Sequence, residues 1–167
     1  MNEATKNPFV KIHNLLRGGS LSAALNLLYS PETGQINEKF LSDRNHAWYT
    51  AGDIFFRQHK FQEAISAFQK SLRTHPDDVE ALMAIGNCYD ELKRPKLAER
   101  YFRRALDLSE SDEEQACRVL FNLANALFDQ RRFKEAAELY QKLERAPLDL
   151  RRKARKNYLL ATGRLTK

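Results

Sequence analysis

The sequence predicts an all-α protein built from repeated antiparallel helix pairs. Apolar residues recur in a motif that fills positions 1, 4, 5 and 8, and its copies begin at Trp48, Leu82 and Leu120. The starts are therefore 34 and 38 residues apart. After each start, the chain has an alanine followed four residues later by an aromatic residue: Ala64 and Phe68, Ala98 and Phe102, and Ala136 and Tyr140. Spacings of three and four residues are typical of helices that bury one face, and a period near 34 residues indicates stacked helix-turn-helix units.

Residues 1–44 are predicted to form a degenerate helical hairpin and a connecting segment. Asn7-Pro8 is typical of a helix start, Gly18-Gly19-Ser20 of a stop followed by a new start, and Pro31-Glu32-Thr33-Gly34 of a turn. The segment lacks the full apolar motif of the later copies. We therefore expect it to cover one end of the helical stack.

The three repeats are assigned to residues 45–78, 79–112 and 113–147. A small residue is placed on the first helix of each, at Gly52, Gly86 and Ala124. Such residues let two helix axes approach closely, and large residues at helical spacing would fill the layers around them. Stability of such a stack needs about three neighbouring units, which the chain supplies.

The third copy begins four residues late, and the additional residues lie between Ser109 and Ala116. Four residues is close to one helical turn of 3.6, so an added turn keeps the buried face in register. Ser111 and Glu114 match a capping box, in which each side chain satisfies a free backbone amide. The sequence therefore predicts a first helix that is one turn longer and begins at Ser111.

Residues 148–167 are predicted to form a capping helix, which starts at Ala146-Pro147 and ends at about Leu160, and a tail. This segment contains the whole charge excess of the chain. Residues 1–147 have equal numbers of basic and acidic residues, so the net charge of +6 comes from seven Lys and Arg against one Asp in the last twenty. Its basic patch comprises Arg151, Arg152, Lys153, Arg155 and Lys156. A solvated helix that caps the stack is one interpretation. Contact with acidic protein, nucleic acid or an anionic membrane is the other.

The residue types and spacing of the three copies resemble the tetratricopeptide repeat, a helix-turn-helix unit of 34 residues. The resemblance implies a right-handed superhelical stack of antiparallel helix pairs whose first helices line a concave groove. It also implies a non-enzymatic adaptor or scaffold that binds an extended or helical segment of a partner protein.

In this family, positions two, five, nine, twelve and thirteen of each repeat face the groove. Carried over to this chain, they are His46, Tyr49, Asp53, Phe56 and Arg57, then Glu80, Met83, Asn87, Asp90 and Glu91, then Arg118, Phe121, Asn125, Phe128 and Asp129. The apolar members at these positions, which the repeat motif does not require, are expected to be exposed and to bind a protein ligand: Tyr49, Phe56, Met83, Phe121 and Phe128. The alternative is that the amino-terminal hairpin of the chain itself covers part of the groove.

Position nine forms a polar row of Asp53, Asn87 and Asn125, whose free amides would pair with the backbone of an extended ligand. The acidic residues at the groove positions favour a ligand with Lys or Arg beside apolar anchors. The two-carboxylate clamp that holds acidic chaperone tails in some family members needs Lys, Asn, Asn, Lys and Arg. Those places hold Tyr49, Asp53, Ala84, Arg118 and Asn122, of which only Arg118 is compatible.

Bacterial type III secretion chaperones for translocator proteins resemble this chain in layout, with an amino-terminal helical segment, three repeats and a closing helix. A chaperone that holds an unfolded client is thus an alternative function. A scaffold that contacts nucleic acid or anionic surfaces through the basic final helix is another. Partner identity, pathway and oligomeric state do not follow from the sequence.

Neither catalysis nor a cofactor or metal site is expected. The four histidines, at 13, 46, 59 and 75, have no metal-ligand spacing, and no phosphate loop or nucleophile motif occurs. Cys88 and Cys117 have no companion at disulfide or metal spacing. No apolar run is long enough to span a membrane, and the first residues lack the order of a secretion signal, so a cytoplasmic location is expected.

Overall fold

A computed structural model of the chain describes residues 7–109 and 112–165, and helices account for most of them. The predicted all-α fold of antiparallel helix pairs is confirmed. The chain divides into two compact units, residues 1–76 and residues 77–167, which we call unit 1 and unit 2.

The described residues of unit 1 form four α-helices, a short two-stranded ribbon and a 3₁₀ helix. Its elements are α1 (Phe9–Arg17), α2 (Leu21–Leu28), β1 (Tyr29–Ser30), β2 (Gln35–Ile36), a first 3₁₀ helix (Glu38–Asp43), α3 (Arg44–Arg57) and α4 (Phe61–Leu72). The predicted turn at Pro31-Glu32-Thr33-Gly34 joins the two antiparallel strands, in which Tyr29 pairs with Ile36. The connecting segment therefore has regular structure of its own.

In unit 2, five α-helices and a 3₁₀ helix are formed by the residues that the structure describes. Its elements are α5 (Val79–Glu91), α6 (Pro95–Leu108), α7 (Glu113–Asp129), α8 (Phe133–Gln141), a second 3₁₀ helix (Lys142–Arg145) and α9 (Leu148–Leu165). The pairs α5 with α6 and α7 with α8 pack against each other, and α9 packs mainly on α8. Unit 2 is thus two helix pairs closed by a single helix.

The same backbone turn joins the helices of every pair. The first helix of each pair is followed closely by a residue in the left-handed region: Gly19, His59, Lys93 or Arg131. The amide of the residue after it donates to the carbonyl five residues earlier, as Lys60 N does to Phe55 O at 2.9 Å and Arg94 N does to Tyr89 O at 2.8 Å. This bond satisfies a carbonyl at the helix end and fixes the reversal. The amino-terminal hairpin uses it too, since Ser20 N donates to Leu15 O.

The glycines of the motif lie where an aromatic ring of the paired helix leaves no room for a side chain. A Cβ atom on Gly86 would lie 2.7 Å from Cδ1 of Phe102, and one on Gly52 would lie 2.6 Å from Cδ1 of Phe68. Both rings are buried. The close approach of helix axes that the motif predicts is therefore present in α3 with α4 and in α5 with α6.

The first helix of the third repeat is one turn longer, as predicted. Helix α7 has 17 residues and α5 has 13. Ser111, the predicted cap, lies outside the described residues. The cap that the structure shows is Asp112, whose carboxylate accepts a hydrogen bond from Gln115 N at 2.9 Å.

Helix α9 is longer than predicted, because it continues past Leu160 to Leu165. Its buried face bears the small residues Ala154 and Ala161, and the second of these lies beyond the predicted end. The Thr162 hydroxyl donates to the carbonyl of Tyr158 at 3.0 Å. Within the described ranges, no helix combines the length and apolar character needed to cross a membrane.

Candidate functional site

In unit 1, two of the predicted groove residues of α3, Tyr49 and Phe56, are half-buried against α4, whereas Arg57 is exposed. The ring of Tyr49 lies 5.4 Å from that of Phe68, and the ring of Phe56 lies 5.4 Å from that of Phe61. Asp53 pairs with Arg57 at 3.8 Å between Oδ2 and Nη1. Burial raises the pKa of Asp53, against the opposing effect of Arg57. This face is mixed, and its one carboxylate already has a cation beside it.

His46 is covered by the amino-terminal hairpin. The Phe9 ring of α1 lies 4.4 Å from the His46 ring, and the His13 ring lies 5.7 Å from it. Burial lowers the pKa of His46, Asp43 opposes that shift and His13 adds to it. At this residue, the amino-terminal hairpin is therefore in contact with the predicted groove.

In unit 2, one predicted groove residue is part of the core. Met83 is only 6% exposed, so the expectation that it offers apolar surface to a ligand is wrong. Phe121 and Phe128 of α7 are half-buried, and their rings lie 6.0 Å from Tyr140 and 5.1 Å from Phe133. Each therefore has one side on α8 and part of its surface exposed.

The amides of the polar row are not free, contrary to the prediction. Oδ1 of Asn87 accepts from Nδ2 of Asn122 at 3.2 Å. Oδ1 of Asn125 accepts from the Tyr140 hydroxyl at 2.7 Å and from Nδ2 of Asn157 at 3.0 Å. Sequence spacing could not show this, because the partners come from other turns and other helices. Asn87 and Asn125 thus join helices of unit 2 through their side-chain oxygens.

The ends of α5 and α7 and the middle of α9 enclose a cavity of about 320 Å³ that we call the acidic cavity. Its lining residues are Asp90, Asn125, Phe128, Asp129, Tyr140, Asn157 and Leu160. Asp90 and Asp129 supply two carboxylates, and the Phe128 ring and Leu160 supply apolar surface. Four of the seven lining residues are predicted groove residues.

The carboxylates of the acidic cavity are incompletely neutralised. The pKa of Asp90 is raised by burial first and by the charge of Asp129 second, against the opposing effect of Lys93. No ion pair of Asp90 or Asp129 is present among the described residues. Burial also raises the pKa of Tyr140 to about 12, so its hydroxyl stays a neutral donor. A cationic group in this cavity would relieve the repulsion between the carboxylates.

The remaining predicted groove residues of unit 2 lie away from this cavity. Arg118 pairs with Glu80 at 2.6 Å between Nη2 and Oε1, and Gln115 Nε2 donates to the same oxygen at 3.1 Å. The only residue compatible with a carboxylate clamp is thus bound to a carboxylate of the chain itself. Glu91, at the end of α5, is exposed.

All five residues of the basic patch on α9 are exposed: Arg151, Arg152, Lys153, Arg155 and Lys156. In the part of the chain that the structure describes, none of their side chains forms an ion pair. Three of the arginines line a second cavity, between α9, α8 and the second 3₁₀ helix. The patch is thus a solvated face of the closing helix, and three of its arginines line a cavity against α8 and the second 3₁₀ helix.

Sequence reasoning missed three residues of the acidic cavity, namely Tyr140, Asn157 and Leu160. The repeat motif places Tyr140 in the core, and the residue is indeed buried. Its hydroxyl nevertheless reaches the cavity, where it donates to Oδ1 of Asn125. Asn157 and Leu160 lie on a helix that the family pattern does not cover. Their helical spacing of three was the available signal, since such residues share one face.

Neither a metal site nor a thiol site is apparent in the described residues. They contain no group of three or more His, Cys, Asp or Glu that would hold a metal ion. Cys88 is buried and unpaired, and burial raises its pKa to about 12. Cys117 is half-buried, and its pKa is also raised, first by burial and then by Glu113 and Glu114. Neither thiol is poised to react as a thiolate.

Two family models, both described as tetratricopeptide repeat, match residues 49–113 and residues 117–145. Together they cover more than half of the chain. The chain belongs to the tetratricopeptide repeat family. The matched ranges contain all three copies of the helix-pair motif apart from Trp48, so the resemblance seen in the sequence is confirmed.

Two curated proteins match over 112 residues at 30% identity. Protein O-mannosyl-transferase TMTC3 of Homo sapiens matches over 59% of this chain and 12% of its own length. The type IV pilus assembly protein PilF of Pseudomonas aeruginosa matches over 67% of this chain and 42% of its own length. The chain therefore spans less than half of either relative.

Solved structures of other tetratricopeptide proteins share the fold. MamA of Desulfovibrio magneticus RS-1 has a TM-score of 0.71 at 20% identity, covering 99% of this chain and 93% of that one. YrrB, described as having an unusual peptide-binding site, has a TM-score of 0.70 at 21% identity, covering 96% and 79%. The first repeat domain of Spaghetti (RPAP3), bound to the HSP90 peptide SRMEEVD, has a TM-score of 0.62 at 22% identity, covering 72% and 98%.

Proposed function

We propose that this protein is a non-enzymatic interaction module whose unit 2 binds an extended segment of a partner protein on the face formed by α5, α7 and α9. The segment places a Lys or Arg side chain in the acidic cavity. The observation that supports this most directly is the pair of carboxylates, Asp90 and Asp129, which lack an ion pair beside the partly exposed ring of Phe128.

The shape and chemistry of the acidic cavity match a basic side chain rather than a small substrate. Asp90 and Asp129 would pair with the terminal cation, and the aliphatic stem would lie on Phe128 and Leu160. Of the groups that face the cavity, Tyr140 is kept protonated by burial, and its hydroxyl donates to Asn125. The raised pKa of Asp90 comes from burial and from the neighbouring Asp129, and a cationic side chain would offset both.

A ligand with an acidic tail fits this chain poorly. Spaghetti binds the peptide SRMEEVD, which ends in acidic residues and a carboxylate. Here Arg118 is paired with Glu80, and the cavity that faces a ligand contains two carboxylates. Carboxylates on the ligand would be repelled, so the proposed ligand has the opposite charge.

An array of synthetic peptides tests this function. The peptides carry Lys, Arg, Gln or Glu at one central position between apolar residues, and the probe is the purified full chain. We expect Lys and Arg peptides to bind and Gln and Glu peptides to bind at least tenfold more weakly, because close charge pairs at an interface contribute about 1.5 kcal/mol or more. Equal binding of all four series would refute a basic ligand.

Matched variants assign the site. Asp90→Asn with Asp129→Asn removes two charges from the acidic cavity. Asp107→Asn with Glu138→Gln removes two from exposed positions on α6 and α8 of the same unit. Only the first pair should abolish the preference for Lys and Arg. Equal losses in both pairs would mean that the preference comes from the overall field and not from the cavity.

A further inference from the structure

A second cavity of unit 2 has the opposite charge. It measures about 690 Å³ and lies between α9, α8 and the second 3₁₀ helix, and we call it the basic cavity. Its charged lining comprises Arg151, Arg152, Arg155 and Glu144. Its apolar lining includes Leu148 and Leu159. It shares only Tyr140 with the acidic cavity.

The three guanidinium groups of the basic cavity have no partner within the described residues, where none forms an ion pair or a hydrogen bond. One lining carboxylate, that of Glu144, stands against three cations. Guanidinium groups form paired hydrogen bonds with carboxylates, so the cavity presents unused donors that suit acidic side chains.

Leucines bracket two of the arginines along α9. Leu148, Arg152, Arg155 and Leu159 follow one another at intervals of four, three and four residues, so they lie in one stripe on the helix. Leu148 is 50% exposed and Leu159 is 61% exposed. By helical rise the two leucines are about 16 Å apart along the axis, which is the length of three turns of a partner helix.

We propose that the basic cavity docks an acidic amphipathic helix of a partner protein. Carboxylates of that helix pair with Arg152 and Arg155, and apolar residues three turns apart cover Leu148 and Leu159. Nucleic acid supplies phosphates but no aliphatic groups for the leucines. A membrane surface needs cations and leucines on a convex face, whereas here they line a hollow between two helices. The proposal does not depend on the ligand of the acidic cavity.

Fluorescence anisotropy with designed peptides tests the proposal. The probe is a labelled helical peptide with two leucines eleven positions apart and glutamates on the same face between them. The control peptide has the same composition with its leucines on opposite faces. Two further probes are a duplex DNA and vesicles of phosphatidylserine with phosphatidylcholine. Each is titrated with the full chain at two salt concentrations.

Two charge-matched variants locate the contact. Arg152→Gln with Arg155→Gln changes the basic cavity, and Lys153→Gln with Arg164→Gln removes the same charge from residues of α9 that do not line it. We expect the patterned peptide to bind at least tenfold more tightly than the control peptide. The cavity pair should weaken it roughly tenfold, and the other pair should weaken it less than threefold. Leu159→Ala should also weaken it several-fold.

Three results would overturn the proposal. The first is the absence of patterned-peptide binding at concentrations up to about 1 mM, the weakest affinity that such an interaction would have. The second is equal weakening by the two charge-matched pairs, which would show attraction to the helix as a whole. The third is tighter binding of DNA or vesicles than of peptide, with dependence on Arg152 and Arg155, which would assign the face to another class of partner. Circular dichroism of each variant confirms that the fold is intact.

Discussion

At the scale of single residues, the repeat motif is a packing rule whose physical basis is visible at the glycines. Gly86 and Gly52 lie against the buried rings of Phe102 and Phe68, so hydrogen is the only side chain that fits. The third copy has Ala124 in the same place, paired with Tyr140 instead of phenylalanine. The motif thus keeps a small residue on the first helix and an aromatic residue on the second in every copy, while the identity of each varies.

We therefore expect Gly86→Leu to destabilise the fold by at least about 1–3 kcal/mol, because the added side chain overlaps Phe102 and the helices must separate. Gly86→Ala should act in the same direction, since its Cβ alone would lie 2.7 Å from Cδ1 of that ring. Thermal melting measures both. The control is Gly163→Ala on α9, where, apart from its chain neighbours and the backbone of its own helix, no atom of the described residues lies within 4 Å of the added Cβ. If Gly86→Leu had the same melting temperature as the parent, the assigned pairing of α5 with α6 would be wrong.

The turn residues provide a second test at this scale. Arg131 is exposed and has a φ of 61°, a conformation that costs a residue with a Cβ roughly 1–2 kcal/mol. Arg131→Gly should raise the free energy of unfolding by about 0.5 kcal/mol, after the greater freedom of glycine in the unfolded chain is counted. Lys153→Gly, in the middle of α9, should instead lower it by about 1 kcal/mol. Chemical denaturation distinguishes the two signs, and a loss at Arg131 would contradict the turn assignment.

At the scale of elements, a network centred on Glu99 joins the two helix pairs of unit 2. Its carboxylate on α6 accepts from Arg132 Nη1 at 2.8 Å and from Gln130 Nε2 at 2.8 Å, and it pairs with Arg103 on its own helix. Arg132 also pairs with Glu135 of α8 at 2.6 Å. Burial alone raises the pKa of Glu99, but the hydrogen bonds from Gln130, Arg103 and Arg132 outweigh it and lower that pKa.

Glu99→Ala should lower the free energy of unfolding by about 1–3 kcal/mol, because it leaves Arg132 and Gln130 without their acceptor. Glu138→Ala, an exposed position on α8, is the control. The pH dependence follows from the lowered pKa: the stabilisation by Glu99 is present above its ordinary pKa and is lost as the pH falls through the lower folded value. Urea titrations of parent and variant should thus converge in acid. If the difference in unfolding free energy between parent and variant stayed constant at low pH, the ion pairs of Glu99 would not be the source of that difference.

The final helix should tolerate the loss of its charges. We expect the combined change of Arg151, Arg152, Lys153, Arg155 and Lys156 to Gln to leave the fold intact, because all five are exposed and form no ion pair with another described residue. Surface changes of this kind are usually within about 0.5 kcal/mol each. A cooperative melt within a few degrees of the parent is the expected result. An unfolded variant would show that the patch is structural and would remove the basis for a docking role.

The sequence specified the helix pairs well because their motif is periodic and its register is fixed by close packing. It predicted the longer α7 from a four-residue insertion, since only a whole turn keeps Leu123 and Leu127 inward. It failed at Met83, which is buried, and at Asn125, whose amide oxygen accepts hydrogen bonds from side chains of α8 and α9. Neither pattern nor spacing shows what lies opposite a residue. The acidic cavity needed Asn157 from a helix outside the repeat pattern, so it emerged only with the fold.

At the scale of the whole molecule, unit 2 presents two cavities of opposite charge on the two sides of one closing helix. The acidic cavity has a built-in conflict between function and stability. Because burial and Asp129 raise the pKa of Asp90, the ionised form of Asp90 disfavours folding, and this penalty appears as the pH rises through the folded pKa. A ligand cation bound as proposed would relieve it.

Asp90→Asn should therefore leave the free energy of unfolding at neutral pH unchanged or slightly raised, by no more than about 0.5 kcal/mol. The melting temperature should follow the same trend. The substitution should nevertheless weaken binding of a Lys peptide. In the parent, binding should weaken as the pH falls through the raised pKa of Asp90, since protonation removes the charge that the ligand contacts. Melting curves and titrations at several pH values measure both effects. A destabilised Asp90→Asn variant would contradict the proposed repulsion.

A double-mutant cycle between ligand and cavity tests the central claim most directly. The affinity of the best Lys peptide and of its Lys→Gln counterpart is measured by calorimetry against the parent and against Asp90→Asn with Asp129→Asn. The account predicts a coupling of about 1.5 kcal/mol or more, so that the cavity variant no longer distinguishes the two peptides. Additive losses, with the preference for Lys intact in the variant, would contradict it and would place recognition of the basic side chain elsewhere on the protein.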